Sequence, residues 1–174
     1  MTPRVVLVGL PGAGKSTTGR RLAKILKVPF ADSDDLVEHS AGRSVRELFA
    51  EAGEDEFRRI EATTVASALS QFEGVLALGG GALALISTRQ ALADSGVPVV
   101  LLRASLSTLV VRVGDGRTRP LLAGDPAARL AALAPVRDPL YREVATFTVE
   151  TEHRTPGRVA AAIAARLHER VSRE

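Results

Sequence analysis

One run of the chain, Gly9-Leu10-Pro11-Gly12-Ala13-Gly14-Lys15-Ser16, fits the spacing G-x-x-x-x-G-K-[ST]. Glycines allow consecutive backbone N–H groups to converge on an anion with no side chain in the way. A helix that begins at the lysine adds its own free N–H groups and the positive end of its dipole. Lys15 then supplies a point charge for β- and γ-phosphates, and the Ser16 hydroxyl offers one position on a bound Mg²⁺. Gly12, Ala13, Gly14, Lys15, Ser16 and Thr17 together make the candidate cradle of a nucleoside triphosphate. Only three lysines occur in the chain, so a lysine at this position is poorly explained by chance.

The motif works only between a strand and a helix, and both are legible. Val5 to Val8 is a short Val-rich run suited to a buried parallel strand, and from Lys15 apolar and small residues recur at helical spacing (Thr18, Leu22, Ile25, Leu26). Further on, strands are expected at Val28 to Ala31, Val75 to Leu78, Val97 to Leu102 and Phe147 to Val149. Between them lie helices from Asp34, from Ser44 with Glu47 in a capping-box pattern, from about Glu54 to Leu69, from near Ser87, and from Ser105 to about Val113. A loop from Gly114 to Gly124 leads to helical pieces as far as Val144, and Thr155 with Pro156 starts the last helix. Strands alternating with helices predict a parallel sheet covered on both faces, with ligands at the carboxyl ends of the strands. The phosphate loop, Asp32-Ser33-Asp34 and Gly79-Gly80-Gly81 all fall there.

The rest of the composition narrows the function. A chain of 174 residues with 45% hydrophobic content suits one domain, here residues 1–174. There is no cysteine, hence no disulfide framework, which fits the cytoplasm. The net charge of +3 comes from scattered basic residues, and five Phe, one Tyr and no Trp leave little to stack on bases, so no nucleic-acid partner is expected. The N-terminal apolar run is too short for a secretory signal, and the uncharged stretch from Gly74 to Thr88 is too short and too glycine-broken to span a bilayer. A regulatory GTPase would need an Asn-Lys-x-Asp guanine reader and a D-x-x-G switch, and the chain has no asparagine and no D-x-x-G. A P-loop ATPase ends a second strand in a metal-holding Asp, yet the third strand runs into glycine and the fourth into Arg103. The best metal-side carboxylate is therefore Asp32, just after the second strand, with Asp34 two residues on.

Taken in order, "GLPGAGKST", "DSD" (Asp32 to Asp34), "EFRRIE" (Glu56 to Glu61), "LGGGA" (Leu78 to Ala82), "TRPLL" (Thr118 to Leu122) and "RDPLY" (Arg137 to Tyr141) resemble the shikimate kinase family over essentially the whole chain. The resemblance implies an α/β fold like that of nucleoside monophosphate kinases, with a five-stranded parallel sheet in the order 2-3-1-4-5 and a short lid at about 114–124. It implies transfer of the γ-phosphoryl of ATP to the 3-hydroxyl of shikimate, on the route to chorismate and aromatic amino acids, by a cytoplasmic monomer using Mg²⁺.

By the same resemblance Arg58 and Arg137 hold the substrate carboxylate, a task for which a planar guanidinium is suited. Arg58 and Arg59 lie about 100° apart on a helix, so one of them faces the site, and the motif selects Arg58. Asp34 binds substrate hydroxyls and takes the proton of the attacking one; Asp32 and Ser16 hold Mg²⁺; Gly79, Gly80 and Gly81 let the backbone approach the substrate. Arg119 closes over the phosphates with Lys15, with Arg117 a competitor two residues away, while Arg112, Arg154 and Pro156 flank adenine. A kinase for another small acid such as gluconate would need the same ATP site and an arginine, and a nucleotide-dependent binding module without transfer would need only the loop. The "FRRIE" and "GGGA" contexts favour shikimate.

Overall fold

In the computed structural model, residues 1–114, 122 and 124–172 are described. Arg117, Arg119 and most of the expected lid lie outside them. Five parallel strands form one sheet in the order β2-β3-β1-β4-β5. They are β1 (Val5–Val8), β2 (Phe30–Asp32), β3 (Val75–Ala77), β4 (Val99–Arg103) and β5 (Phe147–Glu150). β1 is central because every residue in it is apolar and has no exposed side to protect: Val6 pairs Leu76 on one flank and Val99 on the other. The helices are α1 (Lys15–Leu26), α2 (Ser33–Ala41), α3 (Val45–Gln71), α4 (Ile86–Ser95), α5 (Leu106–Val113), α6 (Pro126–Val144) and α7 (Pro156–Val171), with a 3₁₀ turn at Ala82–Ala84. No helix among the described residues is long and apolar enough to cross a membrane.

Two strands begin later than periodicity alone suggests. Lys27 ends α1 in a left-handed turn (φ 56°) and the Val28 N–H bonds back to the Ala23 carbonyl at 3.0 Å, so Val28 belongs to the helix stop. β2 therefore starts at Phe30 and carries Asp32 as its last residue, level with Ala77 of β3. Likewise Pro98 has no N–H to give the ladder and contributes only its carbonyl, to Val6 N–H at 2.9 Å, so β4 runs from Val99 through Arg103.

The Ser44 and Glu54 helices form one continuous run, α3, broken in direction at Gly53 (φ 79°, ψ 172°). Its start has the expected capping box: Ser44 accepts from Glu47 N–H while Glu47 accepts from Ser44 N–H. Beyond Gly53, Val65, Ala68 and Leu69 pack into the main core, and a second small core of Val37, Leu48 and Phe57 joins α2 to α3. α6 tolerates Pro135 and Pro139 because both lie on its exposed face; Leu130, Arg137 and Tyr141 point inward. Because the strands are parallel and in register, the chain leaves β1, β2 and β3 at one edge of the sheet, bringing Gly9, Ser33 and Leu78 to a common rim.

Candidate active site

At that rim the phosphate loop has the backbone its glycines permit. Gly12 and Gly14 take φ of 85° and 91°, a region costly for any residue with a Cβ, and Gly14 is the N-cap of α1. Lys15, the first residue of α1, folds back so that its Nζ donates to the carbonyls of Gly9 (2.7 Å) and Leu10 (3.2 Å). Ser16 Oγ donates to Asp32 Oδ2 at 2.6 Å, tying the loop to the end of β2. Asp32 uses its other oxygen to cap α2, accepting from Asp34 N–H at 3.1 Å. A hydroxyl and a carboxylate oxygen in contact beside a phosphate cradle fit a hard cation that keeps most of its waters, as Mg²⁺ does. Among the described residues no group of three or more His, Cys, Asp or Glu forms a metal cage.

Two residues beyond Asp32, Asp34 faces a crowded polar wall. A Cβ placed on Gly79 would come within 2.6 Å of Asp34 Oδ1 and 2.8 Å of Glu61 Oε1, so glycine is the residue that fits there. Burial pushes the Asp34 carboxyl up to about 6, with the charges of Asp32 and Glu61 adding to the rise and Lys15 and Arg58 opposing it. Burial also raises Glu61 against the pull of Arg58.

Two arginines close the same space. Arg58 is buried on α3, its Nη1 donating to Glu61 at 2.6 Å and its Nη2 to Glu54 at 3.3 Å, with its guanidinium 5.1 Å from the Phe57 ring centroid and 5.8 Å from that of Phe49. Arg59, the next residue, has 73% of its side chain in solvent. Arg137 enters from α6, buried, and burial lowers its basicity, which the nearby Arg58 charge reduces further. Among the described residues Arg137 Nη1 and Arg58 Nε have no acceptor. A Cβ on Gly81 would fall on the Arg58 guanidinium, and one on Gly80 would touch Pro11 of the phosphate loop at 3.1 Å and Arg137 Nη1 at 3.4 Å. The three glycines thus thread between Asp34, Arg137 and Arg58.

On the opposite flank of the phosphate loop a cleft of about 290 Å³ brings together Gly12, Thr17, Arg112, Arg154 and Pro156. Arg112 is tied down within it: Nη2 donates to the Thr151 carbonyl at 2.8 Å, and Nη1 to Thr151 Oγ1 at 2.9 Å and to the Gly12 carbonyl at 3.4 Å. Arg154 is exposed at the rim, and Pro156 opens α7 behind the Thr155 cap. Thr151, Glu61, Ser33 and Tyr141 stand against these groups: Thr151 accepts from Arg112, Glu61 from Arg58, Ser33 from Gly79 N–H, and Tyr141 donates to the Gly80 carbonyl. Ser33, Glu61 and Tyr141 lie inside the motifs quoted above without an assigned role, and Thr151 lies outside them.

A sequence model of the shikimate kinase family matches residues 11–168. The chain is 52% identical over 168 residues to a shikimate kinase of Mycobacterium marinum, covering 96% of this chain and 90% of the relative. Among solved structures it is similar to the shikimate kinase from Acinetobacter baumannii in complex with shikimate, with a TM-score of 0.91, 35% identity and 98% and 94% coverage of the two chains. A gluconokinase from Sinorhizobium meliloti shares the fold at a TM-score of 0.66 and 24% identity, covering 98% and 96%.

Proposed function

The chain belongs to the shikimate kinase family, ATP-dependent kinases that phosphorylate shikimate, and on that premise we propose how its residues divide the reaction. Arg58 and Arg137 take the carboxylate of shikimate. The observation that carries this assignment is the unsatisfied Arg137 Nη1, a buried cationic donor beside a second buried guanidinium, which is an unfavourable arrangement until an anion arrives. Asp34 accepts a hydrogen bond from the 3-hydroxyl and takes its proton as that oxygen bonds to the γ-phosphorus; the bond from γ-phosphorus to the β,γ-bridging oxygen breaks, leaving ADP. Lys15 holds the γ-phosphoryl oxygens, and Arg119 closes over them.

Gly12 to Thr17 cradle the phosphates, and adenine lies in the cleft of Arg112, Arg154 and Pro156. Ser16 and Asp32 would hold Mg²⁺, which when bound neutralises charge on the β- and γ-phosphates. Glycines 79 to 81 line the acid. The whole chain acts as one kinase domain, its substrate region spanning about 32–61, and the reading extends to a monomer working in the cytoplasm on small molecules alone. The cytoplasmic setting and the restriction to small molecules rest on composition, with no cysteine, dispersed basic residues and few aromatics, and the monomer rests on the family resemblance alone.

ADP release with ATP and Mg²⁺, offering shikimate, gluconate, AMP or no acceptor, tests the reaction; release with shikimate only is expected, and equal release without an acceptor would overturn it. Arg137→Ala tests the site. It should raise the KM for shikimate by about a hundredfold, the scale of one charge-assisted pair, and leave the KM for ATP within about twofold. An unchanged acid KM would move the carboxylate elsewhere.

A further inference from the structure

The Gly79–Gly81 strap has no side chains of its own, so something else must fix its peptide groups. Four hydrogen bonds do so. Gly79 N–H donates to Ser33 Oγ at 2.8 Å, the Gly79 carbonyl accepts from Ala82 N–H at 3.0 Å, and the Gly81 carbonyl accepts from Ala84 N–H at 3.0 Å. The Gly80 carbonyl accepts from Tyr141 Oη at 2.5 Å. Among the described residues the N–H groups of Gly80 and Gly81 have no acceptor. Two of the four bonds are local to the 3₁₀ turn. The other two reach in from different elements, 46 residues upstream and 61 residues downstream.

Ser33 and Tyr141 are suited to hold rather than to react. Ser33 is fully buried at the first position of α2, directly between Asp32 and Asp34, so it links the strap to the segment that carries both carboxylates. Tyr141 is 1% exposed and lies one helical turn after Arg137 on the same face of α6, so it links the strap to that guanidinium. Burial keeps the phenol protonated well past neutral pH, which makes it a constant donor.

We propose that Ser33 and Tyr141 are positioning residues of the acceptor site, gripping the Gly79–Gly81 strap at its first and at its middle residue so that its free N–H groups stand at fixed places between Asp34, Arg58 and Arg137. Neither side chain touches substrate. Released at either point, the strap shifts relative to the arginines, and the cost falls on the acid and leaves the nucleotide unaffected. The inference rests on the acceptor-site reading given above.

Tyr141→Phe deletes one oxygen and keeps the ring. It should raise the KM for shikimate about tenfold, the scale of one lost hydrogen bond that positions a ligand, with the KM for ATP within about twofold. Ser33→Ala should act in the same direction, and the double substitution should raise the KM by less than the product of the two, because both act through one strap. A tyrosine that only packs α6 would lower the melting temperature and leave the acid KM alone. An acid KM within about twofold in Tyr141→Phe, beside a raised one in Arg137→Ala, overturns the inference and leaves the site standing. If Arg137→Ala is also unchanged, both fall. Full multiplication in the double variant would overturn the shared strap, and Tyr141→Phe carries the test even where Ser33→Ala fails to fold.

Discussion

Lys15→Ala folds, still binds shikimate, and transfers phosphoryl groups at least about a thousandfold more slowly than the unsubstituted protein. Phosphoryl transfer asks the protein for position and positive charge, and Lys15 is placed for both by the carbonyls of Gly9 and Leu10, which hold its Nζ at the mouth of the loop. Gly9 and Leu10 are both buried, so their carbonyls lose a partner in the variant at a cost of about 1 to 3 kcal/mol, and the core of the sheet, which Lys15 does not join, keeps the fold. A second effect accompanies the first. Lys15 is among the charges that hold the Asp34 carboxyl down, so residual activity in the variant should need a higher pH than in the parent. Single-turnover formation of shikimate 3-phosphate, with shikimate affinity measured separately by calorimetry, distinguishes a lost transfer step from a lost fold; a variant keeping a tenth of the parent rate would remove Lys15 from the chemistry.

Asp34→Asn should lose about 10²- to 10⁴-fold in kcat, the range for a positioned base, and at the same time become more stable. The sign follows from burial. The carboxyl titrates at about 6 in the folded protein against an ordinary 3.8, so the folded state holds the proton more tightly than the unfolded state does. Below pH 3.8 both states are protonated and nothing is lost. As pH rises through the window from 3.8 to 6 the folded state forfeits that advantage, reaching a penalty of about 3 kcal/mol at neutral pH. Asparagine carries no charge and no such penalty. Urea unfolding of the two proteins should therefore coincide near pH 4 and diverge by pH 7, with the asparagine variant ahead by about 2 to 3 kcal/mol. In the parent, kcat/KM should fall below about pH 6 as the base is protonated. An asparagine variant weaker than the parent at pH 7 would mean that the carboxylate is held by partners rather than endured.

What the sequence made legible here was local in the chain. The phosphate loop, its strand and its helix lie within about 22 consecutive residues, and every feature needed to recognise them is a spacing. The inward turn of Arg58 and the outward turn of Arg59 are likewise a matter of helical angle within one motif. The starts of β2 and β4 were displaced because a helix stop at Lys27 and a proline at 98 decide ladder membership, and apolar runs do not report either. Ser33, Thr151 and Tyr141 carry no role legible in the sequence, for a different reason. Each acts by a bond to a group tens of residues away, and a serine, threonine or tyrosine carries no mark of which distant partner it will meet. Glu61 stood in plain view beside Arg58, but nothing local shows that its second oxygen faces Gly79 across the site.

The tether between Arg112 and Thr151 bears on how this enzyme could be inhibited. Three of the five N–H donors of Arg112 are already spent on Thr151 and Gly12, so a compound placed against it finds a guanidinium fixed in orientation, with its flat face for stacking and few donors left for new hydrogen bonds. Polar atoms aimed at its Nη1 would have to break existing bonds to form their own. An inhibitor designer seeking affinity from directed polar contacts would do better with an oxyanion-bearing scaffold on the far flank of the loop, where buried guanidinium N–H groups still await a partner.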